Sequence, residues 1–112
     1  MEEAQVSQSI AREESFLARV NSGDKEAIKQ YICSKSWDCN TAIRIATCES
    51  GLRWNATNET GADMSYGIFQ INIKGSLANN RPSKEELLVP TKNIDFAYSM
   101  YARQGFNPWS CY

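Results

Sequence analysis

The chain has 112 residues, the usual size of one domain, and its twelve Lys and Arg residues nearly balance its thirteen Asp and Glu residues. This balance argues against nucleic acid or an anionic membrane as the main partner, and no apolar run is long enough to cross a bilayer. The absence of histidine excludes Ser-His and Cys-His catalytic pairs and any His-ligated metal, so acid–base chemistry would fall to Asp, Glu, Lys, Tyr or Cys.

The first twenty residues predict a charged helix over about 3–20. Its apolar residues lie near one face: Val6, Ile10, Leu17 and Val20. The segment contains no apolar stretch of the kind found in a secretory signal. We therefore expect either a cytoplasmic protein or one whose signal has been removed.

A second helix is predicted after the polar turn at 21–24. Ser22 or Asp24 can cap it, and it should run to about Ile32. Its apolar residues are Ala27, Ile28, Tyr31 and Ile32.

A third helix should begin at 38–40 and end near Ser50, where Gly51 suits a helix end. Glu49 follows Ala42 by seven residues, so it lies on the apolar stripe of this helix and not on its solvent-exposed face. A carboxyl group that loses hydration favours its protonated form, which a general acid needs near neutral pH. The alternative is a glutamate at a helix end whose charge reaches solvent.

Polar turns are predicted over 52–64, followed by a strand over 65–73 that could form half of a small hairpin. Strand alternation would place Ser65, Gly67 and Phe69 on one face and Tyr66, Ile68 and Gln70 on the other. Gln70 could then bind a sugar or orient the acid, or it could be a satisfied polar residue on the sheet. A buried acid facing such a strand is an arrangement that a glycosidase could use.

Asp63 is the nearest second carboxylate in the sequence. Retaining glycosidases place their two carboxyl groups about 5 Å apart and inverting ones about 6.5–9.5 Å apart. The alternative to a catalytic role for Asp63 is a turn or capping role.

The C-terminal third predicts a loop over 74–82 and two helices. The pattern Ser-Lys-Glu-Glu, starting at Ser83, is a capping box that begins a short helix, which must end by Pro90. A last helix should run from about Thr91 to Arg103. The aromatic tail over 106–112 is expected to pack on the domain. In sum, we predict an α+β, mostly helical domain with about five helices and a small β-hairpin or sheet.

The four cysteines fit a disulfide framework better than reduced buried thiols, and their spacing does not suit zinc. Of three connectivities we favour Cys33–Cys39 with Cys48–Cys111, the second of which would tie the acid-bearing helix to the C-terminus.

Several motifs resemble the lysozyme-like superfamily, over roughly 41–73 and 91–112. Those similar to c-type lysozymes are Glu-Ser-Gly at 49–51, Asn-Ala-Thr-Asn at 55–58, Tyr-Gly-Ile-Phe-Gln-Ile-Asn at 66–72 and Gly-Phe-Asn-Pro-Trp at 105–109. The Glu-Ser pair, Asn58 and the Gly-x-x-Gln at 67–70 are also similar to bacterial soluble lytic transglycosylase domains.

The resemblance implies a lysozyme-like fold with Glu49 as the general acid and Trp109 helping to desolvate it. It implies that Asn58 and Gln70 line a saccharide cleft, and the further candidates for substrate binding are Ser65, Tyr66, Asn72, Tyr101 and Trp109. The ligand would be peptidoglycan or a chito-oligosaccharide, cleaved in peptidoglycan at the β-1,4 bond between N-acetylmuramic acid and N-acetylglucosamine.

One position departs from the c-type pattern, which has an aspartate before the Tyr-Gly of the strand, where this chain has Ser65. We therefore favour a lytic transglycosylase, which needs one glutamate, because the sugar's own 6-hydroxyl closes an anhydro ring. The alternatives are a hydrolytic lysozyme that uses Glu49 with Asp63 or a positioned water, and a non-catalytic saccharide-binding relative.

We expect no metal or organic cofactor, a monomer, and a secreted, periplasmic or cell-wall-associated location. Residues 1–112 should form one lysozyme-like domain, with the helical segment 1–36 packed on it.

Overall fold

The computed structural model describes residues 2–112, with side chains from Val6 onward; Met1 lies outside it. Five α-helices surround a three-stranded antiparallel sheet, which confirms the predicted α+β, mostly helical class. The helices are α1 (Glu2–Asn21), α2 (Lys25–Cys33), α3 (Cys39–Ser50), α4 (Lys84–Leu87) and α5 (Pro90–Gln104). The strands are β1 (Thr57–Asn58), β2 (Ser65–Tyr66) and β3 (Ile71–Asn72), and a 3-10 turn, Gly75–Ala78, lies within the predicted loop.

Local capping chemistry sets most helix ends. Asp24, not Ser22, caps α2 by accepting two backbone N–H groups, and Asp38 caps α3. Gly51 ends α3 in the left-handed conformation, with φ of 66°. Ser83 forms the predicted capping box at α4. These contacts involve neighbours in sequence, so the sequence alone predicts them well.

The Asp38 cap makes stability depend on pH. Hydrogen bonds from the side chain and backbone of Thr41 hold the pKa of Asp38 below its ordinary value of 3.8. The ionised cap therefore stabilises the fold above pH 3.8, and this contribution is lost as the pH falls through the lower, folded-state pKa. We expect Asp38→Asn, which keeps an acceptor but cannot titrate, to lower the thermal unfolding midpoint at pH 6, and we expect this difference from the parent protein to shrink as the pH falls below 3.8.

The control for that experiment is Glu14→Gln, which removes one exposed charge from the surface of α1. If the difference between Asp38→Asn and the parent protein is constant across this pH range, the charged cap is not its source.

The predicted continuous strand over 65–73 is wrong. The chain forms β2, turns over 67–70, and returns as β3, so the hairpin is present but its strands are only two residues long. Positive φ angles at Gly67 (79°) and Gln70 (49°) break the extended conformation. The alternation of faces therefore fails after Tyr66. The apolar residues of this segment are buried because the turn itself lies in the core.

An aromatic cluster fills the space between α2, α5 and the tail. Trp37 lies 5.3 to 5.9 Å, between ring centroids, from the side chains of Phe69, Tyr98, Tyr101 and Phe106. Its indole N–H donates to the backbone of α2 at 2.7 Å, so its polar atom is satisfied in the core. As predicted, the tail packs on the domain, although the terminal tyrosine remains 61% exposed.

A polar cluster also joins α2 to α5. The Tyr31 hydroxyl donates to Asp95 Oδ1 at 2.6 Å, and Lys35 Nζ lies 2.7 Å from the same oxygen. Burial and the hydrogen bond with the Asp95 carboxylate raise the pKa of Tyr31 above its ordinary value. The tyrosine therefore remains protonated as a donor at neutral pH.

Both favoured disulfides are present. Cys33–Cys39 closes the connection between α2 and α3, and Cys48–Cys111 joins the last turn of α3 to the tail. Among the described residues, no helix is long and apolar enough to span a membrane.

Helix α1 contacts the remainder of the chain through its C-terminal end. Val20 is fully buried, and Asn21 Oδ1 accepts the backbone N–H of Thr91 in α5 at 3.0 Å. Val6 and Ile10, expected on the same apolar face, are 57% and 51% exposed and do not join the hydrophobic core.

Candidate functional site

The buried turn over 67–70 is held by the helix that carries Glu49 and by the tail. The hydroxyl of Ser50 and the indole N–H of Trp109 donate to two successive carbonyls of this turn, at 2.7 and 2.9 Å. Because Ser50 directly follows Glu49, its hydrogen bond fixes the end of α3 against the turn.

Asn93 of α5 holds the same turn from the other side. Its Nδ2 donates to the carbonyls of Tyr66 and Leu87 at 2.9 and 3.0 Å, and its Oδ1 accepts the Phe69 N–H at 2.9 Å. Asn93 is completely buried. This role of Asn93 was not predicted from the sequence, although one signal was available: Asn93 lies on the apolar stripe of α5.

Gly67 is required at the start of the turn. A Cβ at this position would lie 2.2 Å from the carbonyl oxygen of Leu87 and 2.4 Å from Asn93 Nδ2. The close approach and the positive φ both explain why a glycine is found here.

A cleft of about 350 Å³ opens between the sheet, the end of α3 and the tail. It is lined by Glu49, Asn58, Asp63, Ser65, Gln70, Ile71, Asn72, Leu77, Arg81, Met100, Pro108, Trp109 and Ser110. The structure thus brings the candidate acid together with Asp63 and with five of the seven candidate saccharide-binding residues.

Glu49 is half-buried at the edge of this cleft. Its Oε2 lies 3.4 Å from the backbone N–H of Cys111, which donates to it. The Cys48–Cys111 disulfide holds that donor beside the acid. The tail therefore contributes both an apolar wall, Trp109, and a hydrogen bond to the carboxylate.

Three polar side chains stand in one row across the sheet. Asn58 pairs with Ser65, and Ser65 pairs with Asn72, so the three share one face, and all three line the cleft. The row supplies a polar floor on which hydroxyl and acetamido groups of a sugar could be recognised.

Asn72 is engaged in holding the loop that precedes β2. Its Oδ1 accepts the N–H groups of Met64 and Lys74, and its Nδ2 donates to Asp63 Oδ1 at 3.2 Å and to the carbonyl of Ala62. Asn72 therefore positions Asp63 at the rim of the cleft.

Gln70 presents an acceptor to the cleft. Its Nε2 donates to the carbonyls of Ala56 and Gly67 at 3.0 and 2.9 Å, which uses both amide hydrogens. Within residues 6–112, Oε1 has no hydrogen-bond partner. A ligand group that meets Gln70 must therefore be a donor, such as a hydroxyl or an N–H.

Two predicted saccharide-binding residues lie outside the cleft lining. Tyr66 is 1% exposed and faces the opposite side of the sheet, where Lys84 Nζ lies 5.2 Å from its ring centroid. Tyr101 packs in the aromatic cluster, 4.6 Å between ring centroids from Phe106. Core packing occupies both rings, so we do not propose them for substrate binding.

Arg81, which was not predicted from the sequence as a site residue, places a guanidinium in the cleft. Its Nη1 donates to the carbonyl of Asn72 at 2.6 Å. The only sequence signal was a cation at the end of an Asn-rich loop. Within residues 6–112, no group of three or more His, Cys, Asp or Glu side chains is arranged to hold a metal ion.

Comparison with known families matches residues 26–104 to the transglycosylase SLT domain. Comparisons with curated proteins and with solved structures gave no significant match. The family match covers most of the chain, from α2 to the end of α5, and includes the candidate acid and most of the cleft. The chain therefore belongs to the transglycosylase SLT family, within the lysozyme-like superfamily.

Proposed function

We propose that the protein cleaves peptidoglycan glycan strands at the β-1,4 bond between N-acetylmuramic acid and N-acetylglucosamine, as a lytic transglycosylase with Glu49 as its one catalytic acid and base. The family supports this reaction class. The observation that carries the finer proposal is the position of Glu49 in a cleft whose strand residue Ser65 offers no carboxylate.

In the first step, protonated Glu49 gives its proton to the glycosidic oxygen as the bond from that oxygen to C1 of the muramic acid breaks. Positive charge develops at C1. The Glu49 carboxylate then takes the proton of the 6-hydroxyl of the same sugar while O6 forms a bond to C1. The products are a 1,6-anhydro end and a free 4-hydroxyl, Glu49 is again protonated, and no water is consumed.

The surroundings of Glu49 suit both halves of this reaction. The N–H of Cys111 stabilises the carboxylate formed after the first proton transfer, and the buried Trp109 lines the same cleft. The acceptor of Gln70 and the polar row of Asn58 and Ser65 would bind the sugar on either side of the bond.

A hydrolytic lysozyme is the second candidate, because Asp63 lines the same cleft as Glu49. In that mechanism Asp63, or Glu49 itself, activates a water that replaces the 6-hydroxyl as the group attacking C1. The hydrogen bond from Asn72 to Asp63 favours a positioning role for this carboxylate in the loop.

Mass spectrometry of the fragments released from purified peptidoglycan distinguishes the two reactions. We expect anhydromuramoyl ends from the parent protein, and the same ends, with less than about a tenfold loss of rate, from Asp63→Asn, because the anhydro ring closes without a second carboxylate. Reducing ends would mean that water is the acceptor. If Asp63→Asn then removes them, Asp63 is the base of a hydrolase.

We further propose that the protein works in an oxidising compartment, secreted, periplasmic or associated with the cell wall, since two disulfides and a cell-wall substrate both suit such a place. We propose a monomer in which residues 1–112 form one lysozyme-like domain, with the segment 1–36 packed on it through Val20 and Asn21.

A further inference from the structure

A second groove shares one lining residue, Arg81, with the cleft. The groove has a volume of about 490 Å³ and is lined by Asn79, Asn80, Arg81, Phe96, Arg103 and Gln104. Arg81 also lines the cleft that contains Glu49. A molecule that fills the cleft can therefore extend a branch past Arg81 into the groove.

The groove is cationic and rich in amide groups. Arg81 and Arg103 supply two guanidinium groups, no carboxylate lines the groove, and within residues 6–112 neither arginine forms a salt bridge. The hydrogen bond from Arg81 Nη1 to the Asn72 carbonyl fixes the guanidinium and leaves its other N–H groups to bind a ligand.

The other lining residues favour a peptide over a simple anion. Three carboxamides, of Asn79, Asn80 and Gln104, each offer a donor and an acceptor, which matches the paired groups of a peptide unit. Phe96 offers an apolar face for a small side chain. Guanidinium groups bind carboxylates with two parallel hydrogen bonds.

We propose that this groove binds the acidic stem peptide that branches from the muramic acid held in the cleft. The proposal rests on the proposed function, because the cleft must hold a glycan for the branch to start beside Arg81. Arg103 is then a specificity-determining residue that favours peptide-bearing strands, and it takes no part in the chemistry at Glu49.

The direct test is an NMR titration of the full chain with free stem peptide released from peptidoglycan by an amidase. We expect the peptide to shift the amide signals of 79–81 and 103–104. Exposed ion pairs contribute little, so Arg103→Gln should weaken binding by about threefold, with Arg12→Gln on α1 as the matched control without effect. A peptide whose carboxylates are converted to amides should also bind more weakly.

The proposal is overturned if the peptide leaves these signals unchanged, if Arg103→Gln and Arg12→Gln bind equally well, or if the uncharged peptide binds as tightly as the acidic one. The titration requires no cleavage. If the protein cleaves no glycan but the peptide shifts these signals as expected, the proposed reaction is wrong, while the proposal that the groove binds the peptide stands.

A second measurement links the groove to catalysis, using glycan strands with and without their peptides. We expect Arg103→Gln to lower the ratio of kcat/KM on peptide-bearing strands to kcat/KM on peptide-free strands by about threefold. An unchanged ratio would mean that the groove does not select the substrate.

Discussion

Glu49→Gln is expected to abolish the release of fragments from peptidoglycan. Glutamine has nearly the same size and can still meet the N–H of Cys111, but it can neither give a proton to the glycosidic oxygen nor take one from the 6-hydroxyl. General acid–base catalysis contributes about 10²–10⁴-fold, so the rate should fall by about 10³-fold. Turbidity loss of a peptidoglycan suspension, followed by mass spectrometry of the soluble fraction, measures the effect.

The matched control is Glu85→Gln, which removes one exposed carboxylate from α4, outside the cleft. It should retain the parent rate. Sedimentation with insoluble peptidoglycan then separates catalysis from binding, and Glu49→Gln should still sediment. If Glu49→Gln cleaves as fast as the control, or changes only the amount bound, Glu49 is not the catalytic acid and the non-catalytic interpretation gains support.

The second large effect concerns stability. Asn93→Ala removes three hydrogen bonds and leaves the Phe69 N–H and the carbonyls of Tyr66 and Leu87 without this partner in the core. An unsatisfied buried polar group costs about 1–3 kcal/mol, so the free energy of unfolding should fall by about 3 kcal/mol or more. Urea unfolding, followed by far-ultraviolet circular dichroism, measures the change.

Two further variants show whether the lost hydrogen bonds cause the expected decrease in stability of Asn93→Ala. Asn40→Ala, at an exposed position of α3, should change stability by less than about 0.5 kcal/mol. Asn93→Asp keeps an acceptor for Phe69 N–H but cannot donate to the two carbonyls, and we expect it to be destabilising as well. If Asn93→Ala unfolds at the same urea concentration as Asn40→Ala, the turn over 67–70 does not depend on this side chain.

Local chemistry explains which parts of the fold could be predicted. Asp24, Asp38, Gly51 and Ser83 act on residues within one helical turn, and their positions in the sequence are sufficient to place the helix ends. The prediction of a continuous strand over 65–73 was wrong because the conformation of this segment depends on residues that are distant in the sequence. Its apolar residues Ile68, Phe69 and Ile71 lie in the core, and burial by distant elements gives a similar pattern for a turn as for a buried strand.

The distinction between local and long-range contacts also explains which residues of the cleft could be predicted. The seven-residue spacing from Ala42 predicted that Glu49 would lie on the apolar stripe of α3, where the structure finds it half-buried. Asn93 meets its partners Tyr66 and Phe69 across 27 and 24 residues, and Arg81 meets the carbonyl of Asn72 across a loop, so neighbouring residues in the sequence do not reveal these partners.

The three tryptophans of this chain lie in three different surroundings. Trp37 is enclosed by the aromatic cluster, Trp54 is 42% exposed beside Gly23, and Trp109 is buried in the wall of the cleft that contains Glu49. Indole fluorescence depends on the polarity around the ring. The protein thus carries one natural fluorophore that reports on its core, one that reports on its surface, and one that lies where an occupant of the cleft would alter its emission.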